Sequence, residues 1–170
     1  MASQTEIERK FLVVGDGWRD GGKAVRIRQG YVSNDGAVSV RIRQKGERFV
    51  LTIKAGREGI ARTELEWEVP AADGALLLDE VCTRAPIDKT RTVVEYEGRQ
   101  WEVDEFAGAN RGLFLAEVEL EAVDAEVALP DWVGPEVSRD DRFFNVYLYE
   151  NPFEGWGVDY ADLVRQAAES

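Results

Sequence analysis

The chain has 170 residues, 33 acidic and 21 basic, for a formal net charge of −12. That is long enough for one domain with a real core, and the charge argues against general binding to nucleic acid or anionic membranes. There is no histidine and one cysteine, Cys82, which excludes Ser-His-Asp and Cys-His nucleophilic sites, histidine or cysteine metal centres and an intrachain disulfide.

Any metal must then rest on oxygen ligands, which suits Mg²⁺, Mn²⁺ or Ca²⁺. No apolar run approaches the about 20 residues of a membrane span, and the N-terminus lacks a signal-peptide pattern. A cytoplasmic, reduced protein is expected, with Cys82 a core residue in its apolar run.

In chain order, the dominant period is two. Alternating segments run over 6–13, 24–31, 38–43, 49–54, 62–69, 89–96, 100–106 and 113–121. They are rich in Val, Ile, Phe and Trp and predict eight strands. Asn34-Asp35-Gly36, Lys45-Gly46-Glu47, Glu97-Gly98 and Gly108-Ala109-Asn110 read as hairpin loops, so neighbouring strands are expected to pair antiparallel. Residues 70–88 predict a short helix capped by Asp73. Residues 159–168 predict a second helix, with Tyr160, Leu163, Val164 and Ala167 on its apolar stripe. Residues 121–128 predict another short helix. No repeat or linker divides the chain, and a single domain over 1–170 is expected.

The polar positions of the strands are nearly all charged. Lys10, Arg26, Arg28, Arg41, Arg43, Lys54, Arg62, Lys89 and Arg91 form a positive set. Glu6, Glu8, Glu64, Glu66, Glu68, Glu102, Asp104, Glu117, Glu119 and Glu121 form a negative set. Ile7, Ile27, Ile42, Ile53, Leu65, Val103 and Val118 mark the apolar face. A solvated sheet face explains alternation, but not like charges at i, i+2 on strand after strand, which repel unless something lies between them. A closed barrel with the charge inside explains the blocks better. Its cations would hold an anion with many oxygens and its paired carboxylates divalent metal.

Glu6-Ile7-Glu8-Arg9-Lys10 is an E-x-E-x-K strand. Its company is Arg28-Gln29-Gly30-Tyr31, Arg41-x-Arg43, Leu51-Thr52-Ile53-Lys54, Arg62-x-Glu64-x-Glu66 and Lys89-x-Arg91. Trp101 to Gly108, Ala116-Glu117-Val118-Glu119-Leu120 and the block 136–145 follow. Together these resemble the CYTH superfamily, the triphosphate tunnel metalloenzymes, in its short bacterial branch. The resemblance implies a mainly β fold, a closed eight-stranded antiparallel barrel with a charged interior and a few helices outside. It implies that Glu6, Glu8, Glu117 and Glu119 lie near the metals, with Glu64, Glu66 and Asp104 as further carboxylates. Lys10, Arg41, Arg43, Lys54, Arg62, Lys89 and Arg91 would grip triphosphate, and Tyr31 would act with Lys89. In the last block Ser138 and Phe143 stand where that family commonly has Thr and Tyr.

Metal-dependent hydrolysis of inorganic triphosphate, with Mg²⁺ or Mn²⁺, is the expected function, the substrate being a small molecule rather than nucleic acid or membrane. An adenylyl cyclase, a thiamine or nucleoside triphosphatase, and a polyphosphate-binding module without turnover are the alternatives. Lys89 is either a base or only a phosphate ligand. Surrounding arginines and carboxylates push its pKa in opposite directions, so the sign of the shift stays open.

Overall fold

The structure is a computed structural model that describes residues 7–55 and 63–170. Glu6 and Arg62 lie outside the described residues. The chain is mainly β, with antiparallel pairing and a few short helices. Its described residues divide into two compact units, 26–55 with 63–88, and 7–25 with 89–170.

The strands of the first unit are β2 (Lys23–Asn34, from Arg26 onward), β3 (Val38–Lys45), β4 (Arg48–Ala55) and β5 (Thr63–Val69), in the order β5-β4-β3-β2. At the β2–β3 turn the Asp35 carboxylate accepts from the backbone N–H of Ala37 at 3.0 Å and Val38 at 2.8 Å. The apolar face carries Ile42, Leu51, Ile53, Leu65 and Trp67. Part of it is covered by α1 (Ala71–Leu76) and the π-helical turn Leu77–Val81 that continues it. Leu78 packs there on Ile42 and Phe49, with Cys82 alongside. Asp73 lies in the first turn of α1 rather than capping it, because the helix starts directly after Pro70, a residue that cannot continue a helix backwards.

In β2 the side chains take the opposite phase to the expected one. Gln29 pairs with Arg43 and Tyr31 with Arg41, while Gly30 pairs with Ile42. Directly opposite residues share a face, so Gln29 and Tyr31 join the charged face, and Ile27 lies on that side too. Arg28 lies on the helix side, where its guanidinium donates to Asp79 of the π turn at 2.8 Å. Arg26 pairs with Asp88 at 2.6 Å. Gly30 explains the choice: a Cβ there would lie 2.7 Å from Cys82 Sγ, so only glycine lets the helix segment approach β2. Gly30→Ala should therefore lower the thermal midpoint by the equivalent of about 1–3 kcal/mol of overpacking, although alanine ordinarily favours a strand over glycine. An unchanged or raised midpoint in thermal unfolding would contradict this packing.

The second unit holds β1 (Ile7–Val13), β6 (Ile87–Tyr96, from Lys89 onward), β7 (Arg99–Phe106), β8 (Phe114–Leu120) and β9 (Val133–Glu136), in the order β6-β7-β8-β1-β9. Glu97 and Gly98 both have positive φ, 47° and 75°, the turn geometry that matches strand twist in a two-residue hairpin. Its core packs Phe11, Val13, Trp18, Trp101, Val103, Val118 and Trp132, so Trp18 and Trp132 are packing residues. In α3 (Tyr160–Ala168) the N-cap Asp159 accepts from Asp162 N–H at 2.8 Å. The Tyr160 hydroxyl receives Val13 N–H at 2.8 Å and lies 2.9 Å from the carbonyls of Val13 and Phe114. A short α2 (Asn145–Glu150) was not expected, nor was β9. The helix expected over 121–128 is absent: Val123 is 81% exposed, so that stretch has no stripe to bury.

Nine strands are described where eight were expected. Among the described pairings β5 has only β4 and β9 only β1, so the expected closure into a barrel is not among them. No helix among the described residues is long and apolar enough to cross a membrane.

Candidate active site

In the second unit the register builds one charged face. Lys10 stands opposite Glu117 and Glu8 opposite Glu119. Glu102 stands opposite Glu117, and Arg91 opposite Asp104. Alternation brings Lys89 to the same face, two residues from Arg91. The opposite face carries Trp101, Val103, Ala116 and Val118 into the core, which is why the charged set has no freedom to turn inward there.

The side chains interlock. Arg91 Nε donates to Asp104 Oδ1 at 2.7 Å, and Nη2 donates to Asp104 Oδ2 at 2.7 Å and to Glu117 Oε2 at 3.2 Å. Arg91 Nη1 also donates to Glu102. Lys10 Nζ donates to Glu117 and lies 3.2 Å from Glu8 Oε1. Lys89 Nζ donates to Asp104 Oδ2 at 2.6 Å and to Asn145 Oδ1 at 3.1 Å. Lys10, Lys89, Arg91, Asp104 and Glu117 are all buried. Three buried cations thus face two buried carboxylates, while Glu8, Glu102 and Glu119 are more open to solvent.

This imbalance sets the protonation states. Burial pushes Lys89 down to about 8, with Arg91 adding to the shift and Asp104 and Glu117 opposing it. Burial also opposes the charge of Lys10, but Glu117 and Glu8 outweigh it and its pKa rises. Burial would raise the carboxyl pKa of Asp104, yet Lys89 and Arg91 hold it far below the carboxylate range. Glu117 is likewise lowered, burial being overcome by Lys10, Lys89 and Arg91. Of the three cations Lys89 parts with its proton most readily, since the pKa values of Lys10 and Arg91 are raised.

The charged face of the first unit is looser. Arg41 Nη2 donates to Thr52 Oγ1 at 3.3 Å and stands 3.7 Å from Glu66, to which Thr52 donates at 2.9 Å. Lys54 pairs with Glu64 at 3.0 Å. Arg43 Nε donates to Gln29 Oε1 at 3.3 Å, and buried Tyr31 stands opposite Arg41.

The expected residues therefore divide. Glu8, Lys10, Lys89, Arg91, Asp104, Glu117 and Glu119 share one face in one unit. Tyr31, Arg41, Arg43, Lys54, Glu64 and Glu66 share one face in the other. Among the described residues no group of three or more acidic, histidine or cysteine side chains is placed to hold a metal ion as they stand. The donor chemistry fits a hard divalent ion all the same: the candidates are carboxylates alone, and Glu119 faces Glu8 directly with no ion-pair partner among the described residues. Cations already hold both oxygens of Asp104 and both of Glu117: Asp104 takes three donors at 2.6–2.7 Å, Glu117 takes Lys10 and the longer 3.2 Å contact of Arg91.

Asn145 was not among the expected site residues yet partners Lys89, and Glu102, expected only as a member of the negative set, partners Arg91. Ser138 keeps a role for its hydroxyl: it accepts from Lys10 N–H at 2.9 Å and donates to Glu136 at 2.7 Å, steadying β1 at the lysine. Phe143 is buried against Trp156, so a hydroxyl at that position would have to be accommodated inside the core.

The CYTH domain model matches residues 4–144. A protein named inorganic triphosphatase from Acetivibrio thermocellus is 42% identical over 151 residues, covering 89% of this chain and 97% of the relative. Another of that name from Nitrosomonas europaea is 37% identical over 149 residues, covering 85% and 96%. The crystal structure of the inorganic triphosphatase NE1496 aligns with a TM-score of 0.68 and 34% identity, over 86% of this chain and 95% of that one. The family match spans the E-x-E-x-K strand, the K-x-R strand and the block that ends near Asn145, and on that ground the chain belongs to the CYTH domain family.

Proposed function

We propose that this chain is an inorganic triphosphatase, hydrolysing tripolyphosphate to pyrophosphate and phosphate with Mg²⁺ or Mn²⁺. The observation that carries the reading is the buried face on which three cations meet two carboxylates. Glu8 and Glu102, the remaining partners of Lys10 and Arg91, are open to solvent, so the buried set itself carries one more positive than negative charge, which an anion completes. The two inorganic triphosphatases that span nearly this whole chain make a triphosphate the anion of choice. The closed tunnel and the single functional domain over 1–170 belong to the same reading, as does a cytoplasmic setting without nucleic acid or membrane.

Lys10, Arg41, Arg43, Lys54, Arg62, Lys89 and Arg91 are the cations that bind phosphate oxygens. Glu8, Glu117 and Glu119, with Glu6, would hold the divalent ion, which supplies charge neutralisation and a more acidic bound water. Asp104 acts as the fixed counterion of Lys89 and Arg91, and Glu64 and Glu66 hold Lys54 and Arg41 extended. Water adds to a terminal phosphorus, the bridging P–O bond breaks, and pyrophosphate leaves. In this reaction the protein's task is positioning and charge neutralisation. Tyr31 orients the attacking water.

Neutral Lys89 takes the water's proton. Its pKa of about 8 places that form within reach near neutrality, whereas an ordinary lysine would be charged throughout. The pH dependence of kcat/KM, which reports free-enzyme groups, has opposite signs for the two roles. If Lys89 is the base, kcat/KM for tripolyphosphate should rise with pH through about 8. If it serves only as a charged phosphate ligand, kcat/KM should fall over the same range, and that result would overturn the base assignment. Lys89→Met should remove the rising limb along with the activity.

A further inference from the structure

We propose that Gln29 is a substrate-binding residue, its side-chain amide donating to a phosphate oxygen of the bound triphosphate beside Arg41. The inference rests on the triphosphatase reading and adds a neutral donor to its set of cations.

Gln29 is fully buried in β2, 0% exposed. Its Oε1 accepts from Arg43 Nε at 3.3 Å. A guanidinium can only donate, so this contact fixes the amide with its oxygen toward Arg43 and its nitrogen away. That Nε2 has no hydrogen-bond partner among the described residues, and neither does the buried Nε of Arg41. Buried donors are nearly always satisfied, and leaving one unmade is a penalty. Two on the same face, on the neighbouring cross-strand pairs Gln29–Arg43 and Tyr31–Arg41, call for an acceptor that the protein itself does not supply.

The chemistry of that acceptor follows from its surroundings. Both orphaned groups are N–H donors, so the partner is a group of acceptor oxygens. Arg41 and Arg43 make it anionic. Phosphate oxygens meet both conditions, and a guanidinium fork suits them. Access is available through Arg41, whose nearest carboxylate, Glu66, stands at 3.7 Å and is half exposed. An entering phosphate oxygen competes with that loose contact for the Arg41 guanidinium. Because the amide is neutral, it registers the position of an oxygen without adding charge.

The test uses Gln29→Met, of similar length and without polar atoms. Three quantities are measured: the thermal midpoint of the free protein, the calorimetric Kd for tripolyphosphate without metal, and KM and kcat with Mg²⁺. The expected result is a folded protein with a midpoint near wild type, the removed unsatisfied donor offsetting the acceptor that Arg43 loses. Kd and KM should rise about tenfold or more, as for a lost hydrogen bond to a charged group, while kcat changes less. Gln29→Glu still accepts from Arg43 but opposes the anion, and should weaken binding further, by roughly a hundredfold. Should the Met variant fail to fold, the Glu variant decides on its own. Wild-type Kd and KM in the folded variants would overturn the assignment of Gln29 while leaving the triphosphatase reading intact. A wild-type protein that neither binds nor hydrolyses tripolyphosphate would overturn both.

Discussion

Glu117→Gln is expected to reduce tripolyphosphate hydrolysis at least a hundredfold, the scale on which a group aligned to the reacting charge acts, while leaving a folded protein. The substitution keeps shape and removes charge. Glu117 is buried, with Lys10 on one oxygen and Arg91 on the other. Both cations keep other carboxylates: Lys10 has Glu8, and Arg91 has Asp104 and Glu102. The stability loss should therefore stay near the about 1–3 kcal/mol of an impaired buried hydrogen bond. A glutamine carbonyl is a far weaker ligand for a hard divalent ion than a carboxylate, so the metal requirement should shift to higher concentration as activity falls. A variant with full activity at unchanged metal requirement would remove Glu117 from the site.

Asp104→Asn should do the reverse, with stability leading and activity following. Both oxygens of Asp104 are committed, to Arg91 at 2.7 Å on each and to Lys89 at 2.6 Å. An amide would place an NH₂ group against a cation and strand buried positive charge. Removing one partner of a buried ion pair typically costs about 3–5 kcal/mol, which for a chain of this size lowers the thermal midpoint by about 10 °C. The pH dependence agrees in sign. The folded-state pKa of Asp104 lies below its unfolded value, so its contribution is present above the ordinary carboxylate range and is lost as pH falls below it. Between pH 6 and 8 the wild-type midpoint should owe nothing to this group's titration. A variant that melts like wild type but needs a higher metal concentration for activity would instead make Asp104 a ligand.

The strands were legible because the apolar residues alternate strictly, and the facing of Lys10 against Glu117 follows once β1 and β8 pair. β2 was misread because Arg26, Ile27, Arg28 and Gln29 offer polar residues on both faces. Only the approach of Cys82 to Gly30, a tertiary contact, selects the phase. β9 has four residues with Gly134 and Pro135 among them, too short and too interrupted for a period to show. Its glycine is required by the neighbouring strand: a Cβ at Gly134 would lie 2.6 Å from Val14 Cγ1. The charged residues of the site could be nominated from sequence, but not their partners. Whether Asp104 binds metal or neutralises Lys89 depends on which of its oxygens are already taken. Asn145 reaches Lys89 across 56 positions of chain, a contact that no local pattern encodes.

The direct test of the account is product analysis of the purified protein with Mg²⁺ or Mn²⁺ and, in parallel, tripolyphosphate, ATP and thiamine triphosphate. The expected result is rapid release of phosphate and pyrophosphate from tripolyphosphate, with little product from the other two. Cyclic AMP from ATP would keep the charged faces but contradict hydrolysis, and tight binding of tripolyphosphate without turnover would contradict an enzyme altogether.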